Sequence, residues 1–276
     1  MREALFYLGD SMRQPVVAGQ FYPLRPADLR QELELCFEGL KFREKKLFGA
    51  VCPHAGYLYS GKVAAHVYAT LPKAETYILI GPNHTGYGSP VSVSQDSWKT
   101  PLGIIEPDLE LGKELLGRIA VLDELGHRFE HSLEVQLPFL QYRFGEAFKL
   151  LPICMGLQDE ETAVELGELI AKSLLKTGKK AVLIASSDFT HYQPAEAALK
   201  IDTAMIKAIL ELDVSGLYAC LYKNNASVCG YGPIAAMLTA SKILGATQGT
   251  LLKYANSGDV SGDLSAVVGY AAIVVE

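Results

Sequence analysis

No stretch of this 276-residue chain approaches the ~18 consecutive apolar residues that a membrane span needs, so no transmembrane helix is expected. The opening stretch, MREALFYLGDSMRQPVV, also lacks the unbroken apolar centre of a secretory leader. A cytoplasmic protein is the expectation. Cysteine is scarce and odd in number, five in all, which argues against a disulfide framework and for reduced thiols. An excess of positive charge is missing too: 25 Lys and Arg against 31 Asp and Glu leave a net charge of −6, the opposite of the usual bias of nucleic-acid binders. The dense basic cluster KFREKK at 41–46 reads as the solvated exit of a helix, and neither nucleic acid nor membrane is expected as a partner. Absent, finally, are any Pro/Ser/Gly-rich seam, low-complexity tract or fixed-period repeat, so a single domain over residues 1–276 is expected.

What is present is a large apolar fraction, 49%, organised as strand-like runs alternating with helix-like runs. That order is the pattern of an α/β protein with a largely parallel sheet and helices on its faces. The first helix is predicted over 26–40, with Pro26 in its first turn. FGAVCP (48–53) follows as a buried strand, then a helix capped by Ser60 with Val63, Val67 and Leu71 on one face, then the strand TYILI. Short alternating pieces between Gly81 and Pro107 suggest a β excursion. Helices are predicted near 108–118, 132–143, 159–175, 195–211, 213–222 and 232–244, and strands at 149–154 and 181–186. GTLLKYA and AVVGYAAIVV close the chain as strands, the last expected to be central because both its faces are apolar.

Three strand exits share a feature. AVCPHAGY ends on His54, YILIGPNH on His84, and AVLIASSDFTHY on Asp188 and His191. Parallel strands put their C-terminal ends on one edge, where open α/β folds place ligands, so these exits should meet. The 30-residue interval from His54 to His84 is about one βαβ unit, which makes their strands neighbours or near neighbours. One histidine at a strand end is ordinarily a turn residue; three of the six histidines placed alike point to a site. His66 is read as structural within a helix, His127 as a loop surface residue, and His131 as ambiguous.

Two neutral imidazoles and an anion suit a divalent transition metal, iron, copper or zinc. Two anions are available. Asp188 lies on a converging strand, and Cys229 in SVCGYGP precedes a predicted helix whose N-terminus would lower its thiol pKa. A metal-free alternative makes Cys229 a nucleophile with His191 as base and Asp188 or Glu134 orienting it. A third reading is a module that binds a small molecule or peptide in the strand-end cleft, with Tyr57, Tyr59, Tyr87, Tyr192 and Tyr231 as walls.

At these residues the sequence resembles the Memo family, whose fold is similar to that of the class III extradiol ring-cleaving dioxygenases. The likeness runs through AGQFYP, PHAGYLYSG, GPNHTG, SWKTPLG, EHSLEVQLPFL, SSDFTHY, VCGYGP and SGDVSGD, nearly the whole chain. It implies a three-layer α/β/α fold with a central mixed, largely parallel sheet. It implies a metal position at His54, His84 and Cys229, with His191 matching the acid/base histidine of the dioxygenases. In those enzymes two histidines and a carboxylate hold non-heme iron; a cysteine in third place is softer, favours copper or zinc more, and is itself oxidisable. The resemblance also implies a radical-SAM partner protein for bacterial and archaeal members.

Overall fold

The computed structural model of the chain describes residues 12–276; residues 1–11, part of the stretch compared with a secretory leader, lie outside them. The chain opens with β1 (Met12–Arg13), α1 (Pro26–Cys36), β2 (Gly49–Cys52), α2 (Tyr57–Thr70) and β3 (Thr76–Pro82). The expected β excursion forms β4 (Val91–Val93), β5 (Ser97–Thr100) and β6 (Gly103–Ile105), followed by α3 (Leu109–Leu115), β7 (Val121–Leu122), α4 (Leu125–Arg128), a 3-10 turn at Glu134–Gln136 and α5 (Leu137–Phe144). Next come β8 (Lys149–Met155), α6 (Glu160–Thr177), β9 (Ala181–Ser186), β10 (His191–Gln193), α7 (Ala195–Leu210) and α8 (Val214–Asn224). The chain closes with α9 (Tyr231–Ile243), β11 (Gly249–Asn256), α10 (Gly258–Ser261) and β12 (Val267–Val275).

Nine strands make the main sheet, in the order β10-β12-β2-β9-β3-β8-β4-β7 with β11 also on β12. β2, β9, β3 and β8 are parallel neighbours, whereas β12 runs antiparallel to β2 and β4 antiparallel to β8. The sheet is therefore mixed around a parallel centre. Its central strands alternate in side-chain direction. Val51, Ile78, Ile80, Leu151, Ile153, Leu183 and Ile273 join the core packed by α3, α6, α8 and α9. Ala50, Cys52, Tyr77, Leu79, Leu150, Ile184 and Val274 face the other way, onto α1, α2 and α5. Two apolar cores on opposite faces give the three-layer α/β/α fold. Among the described residues no helix is long and apolar enough to cross a membrane.

Local expectations needed four corrections. The first helix stops at Cys36, with Phe37 as its cap, and the basic run is extended: the backbone N–H groups of Arg43 and Lys45 donate to the carbonyls of Ala69 and Thr70 at the end of α2. Ser60 does not cap α2. The helix starts at Tyr57 behind Gly56, and the Ser60 hydroxyl donates to the Ala55 carbonyl from within the first turn. β2 and β3 are near neighbours, as expected, with β9 alone between them, and that strand delivers Asp188 between the two histidine exits. β12 is paired on both sides and buried, as a two-faced apolar strand must be, but it lies toward one edge of the sheet and not at its centre.

The amino-terminal segment is anchored by a buried ion pair beside the histidine-bearing loops. The Arg13 guanidinium lies 4.0 Å from the Trp98 ring centroid and donates to Glu134 Oε2 at 2.7 Å and to the His127 carbonyl at 2.8 Å. Glu134 is fully buried and also accepts from the Val16 and Val17 N–H groups and the Tyr22 hydroxyl. Such a pair is tolerated when every remaining lone pair finds a donor, as here.

Candidate metal centre

β2, β3 and β9 all end on the same edge, and their exits carry His54, His84 and Asp188 there. The pause at Gly81-Pro82-Asn83 has a packing reason. A Cβ at Gly81 would come within 2.7 Å of both Leu133 Cδ2 and Ser132 Oγ, so glycine admits the loop that carries Glu130 and His131. Asn83 then fixes the turn: its Oδ1 accepts from the N–H groups of Thr85 and Gly86, each at 2.9 Å, which swings His84 over the edge.

Hydrogen bonds settle the tautomers. The Ser186 hydroxyl donates to the Ser132 carbonyl at 2.7 Å and accepts from Gln136 Nε2 at 2.7 Å. With its one proton committed, it can only accept from His54 Nδ1, 2.9 Å away. His54 is therefore protonated on Nδ1 and leaves Nε2 as a free lone pair. Glu130 does the same for His84. Burial alone would raise this carboxyl, but hydrogen bonds and charge from His84 and His131 and the Ser132 N–H hold it down at about 2. As an anion it can only accept, so His84 Nδ1 is the donor at 2.9 Å, with the His84 N–H adding 2.6 Å to the other oxygen. Such partners are what fix a metal-binding imidazole.

His131 completes the cluster. Its ring stacks on His84 with centroids 4.6 Å apart and meets His54 edge-on at 5.5 Å, with Phe21 against it at 4.8 Å. One ligand atom from each of His54, His84 and His131 lies within 4.8 Å of the others. Burial, reinforced by the charges of the neighbouring imidazoles, pushes His54 well down, and burial pushes His131 down despite Glu130. The three rings form a cluster of nitrogen donors that could hold a metal ion.

The remaining expected residues surround His54. Cys229 Sγ is 3.2 Å from His54 Nε2 and accepts the Asp188 N–H at 3.2 Å. Contrary to the helix-terminus argument, burial and then the Asp188 carboxylate raise the free thiol's pKa; α9 begins two residues on, too weak a dipole to offset loss of water. Asp188 is buried and takes the His54 backbone N–H on Oδ1 at 2.8 Å; burial pushes it up to about 6. His191 donates its Nδ1–H to the Ser227 carbonyl at 2.8 Å. It lies close enough for its charge to act on both His54 and Asp188.

Other expectations fall elsewhere. Glu134 is consumed by Arg13 and the amino-terminal backbone and does not orient His191. His127 is not a surface residue: it is fully buried, donating Nε2–H to the Ser92 carbonyl at 3.0 Å beside Trp98. Tyr57 is buried in the core, its hydroxyl on the Val135 carbonyl, whereas Tyr59, Tyr87 and Tyr192 are exposed. Glu130 and His131 sit on a loop with no strand before it, so strand exits do not reveal them; His131, ambiguous in the sequence, joins the cluster, and the acid beside it in FEHS is the signal for Glu130.

The family described as Memo-like protein matches residues 13–274. A MEMO1 family protein of Methanosarcina barkeri is 70% identical over 265 residues, 96% of this chain and 100% of its own length. Another MEMO1 family protein, from Archaeoglobus fulgidus, is 50% identical, covering 95% of this chain and 99% of its own. Among solved structures, an uncharacterized protein of Escherichia coli K12 superimposes with a TM-score of 0.53 at 13% identity, covering 83% of this chain and 100% of that one, a likeness of fold alone.

Proposed function

Because the chain belongs to the Memo-like protein family, we propose that the strand-end cluster is a transition-metal centre serving a redox function, with iron or copper the favoured ions and zinc a third choice. His54 and His84 hold the ion through Nε2, and Cys229 supplies the third donor. The observation that carries this reading is the 3.2 Å contact between Cys229 Sγ and a His54 nitrogen whose other ring nitrogen is already committed. An ion with Fe, Cu or Zn radii keeps bound nitrogen and sulfur about 3.1–3.6 Å apart, and the thiol proton is what a cation bound there displaces. Bound there, the ion supplies Lewis acidity and, if iron or copper, electron exchange.

The chain's own groups supply the rest. Asp188 orients His54 through its backbone N–H. His191, with its Nδ1 proton held by Ser227, offers Nε2 as a proton acceptor. His131 is a fourth donor, able to take the place assigned to Cys229. A small molecule or peptide entering the cleft meets Tyr59, Tyr87 and Tyr192, and a radical-SAM protein is the proposed partner. A metal-free nucleophile is disfavoured because burial raises the thiol where a nucleophile needs it lowered.

Elemental analysis of anaerobically prepared protein tests the centre. Wild type should hold about one ion per chain, His54→Ala almost none, and Cys229→Ala a reduced amount with the thiolate charge-transfer band gone. Equal metal in wild type and His54→Ala would end the proposal; loss with His131→Ala but not Cys229→Ala would make it a three-histidine centre.

A further inference from the structure

The basic run at 41–46 borders a hollow of about 740 Å³ at the opposite edge of the sheet, where β2, β3 and β9 begin. Its floor is apolar: Leu47, Leu174 and Val182 are buried and Phe48 is half-buried, while Leu175 stands at the rim 67% exposed. Five lysines line it, Lys45, Lys46, Lys73, Lys179 and Lys180.

Two of these are already neutralised. Lys45 Nζ is 2.6 Å from Glu276, and Lys179 Nζ is 2.6 Å from Asp108 and 3.0 Å from Glu110. The ammonium groups of Lys46, Lys73 and Lys180 have no carboxylate within 4.0 Å among the described residues. Lys46 Nζ instead lies 5.8 Å from the Phe48 ring centroid. One acid, Glu44, lines the hollow, and its Oε2 takes the Lys73 backbone N–H at 3.5 Å. Helices α2, α6 and α9 end near this edge, and lysines there complement the partial negative charge of exposed carbonyls. That accounts for basic residues on the rim; it does not account for the half-buried Phe48 and the exposed Leu175 among them.

We propose that this hollow binds a small amphipathic carboxylate, its apolar body on the Leu47, Phe48 and Val182 floor and its head among Lys46, Lys73 and Lys180. The volume is in the range of small-molecule sites, and the local charge runs against the chain's net −6. The site lies at the end of the sheet away from the histidines and does not depend on the metal reading.

Calorimetric titration with decanoate below its micellar range tests it. Saturable one-to-one binding is expected, equal in wild type and His54→Ala. Decanol and decyltrimethylammonium should bind at least about tenfold more weakly, as should decanoate to the triple variant Lys46→Gln, Lys73→Gln, Lys180→Gln, three part-exposed ion pairs together being worth about that factor. All three lysines are exposed, and an unchanged far-ultraviolet spectrum checks the fold. The proposal is overturned if decanoate fails to saturate by ~1 mM, where binding is worth only about 4 kcal/mol, or if the cationic analogue or the triple variant matches the parent. Retention on phosphatidylglycerol vesicles without binding of monomeric decanoate overturns it in favour of a membrane surface.

Discussion

Replacing Glu130 with Gln removes one of two oxygens on which the histidine loop converges. Oε1 accepts from His84 Nδ1 at 2.9 Å, the His131 N–H at 2.9 Å and the Ser132 N–H at 2.8 Å, and Oε2 from the His84 N–H at 2.6 Å. A carboxamide must aim its own N–H₂ at one of these donors. The size of the effect follows from linkage. The carboxyl sits at about 2 where its ordinary value is 4.5, and that gap at about 1.36 kcal/mol per pH unit is roughly 3 kcal/mol. Because the folded value is depressed, the contribution is whole above pH ~4.5 and fades as pH falls toward 2; by pH 3 more than half of it should be gone. Urea unfolding of chelator-treated wild type and Glu130→Gln, followed by far-ultraviolet dichroism at pH 7 and pH 3, measures the gap directly. Contributions from titrating groups remote from Glu130 cancel in the difference, which reads the carboxylate together with the His84 and His131 rings coupled to it. A gap below about 0.5 kcal/mol at pH 7, the level of ordinary surface substitutions, or one that does not shrink by pH 3, refutes the reasoning that Glu130 is the ionised holder of His84.

Three further outcomes are expected. His127 is pushed down to about 4 by burial, so the folded state resists a proton that the unfolded chain accepts near 6.5; stability should fall as pH drops from 6.5 to 4, and His127→Gln should flatten that slope in urea titrations. Asp188 is raised to about 6 by burial, so ionising it costs stability as pH rises from about 4 to 6, a cost that Asp188→Asn, which keeps an acceptor for the His54 N–H, should remove from the same curves. Gln158 clamps the cysteine turn, donating to the Cys229 carbonyl at 3.0 Å and accepting the Gly232 N–H at 3.0 Å; Gln158→Leu should cost about 1–3 kcal/mol and speed iodoacetamide alkylation of Cys229 in metal-free protein, and an unchanged alkylation rate would deny Gln158 that role.

The sequence alone determined the layers and the edge. Alternating apolar runs and helical spacings are local signals, which is why β9 matches its expected bounds and the exits carrying His54, His84 and Asp188 share one rim: parallel strands leave no other arrangement. Only the tertiary structure decided which side chains face one another there. β9 lies between β2 and β3 because of crossover choice, which no short window encodes. Glu130 and His131 arrive from an irregular loop, admitted by the missing Cβ of Gly81 and held by bonds spanning about 50 residues. His127 is buried because Arg13 and Trp98 close over it from distant segments. Periodicity reports a residue's own face of a helix or strand; the burial and protonation of a loop residue depend on what the rest of the chain brings against it.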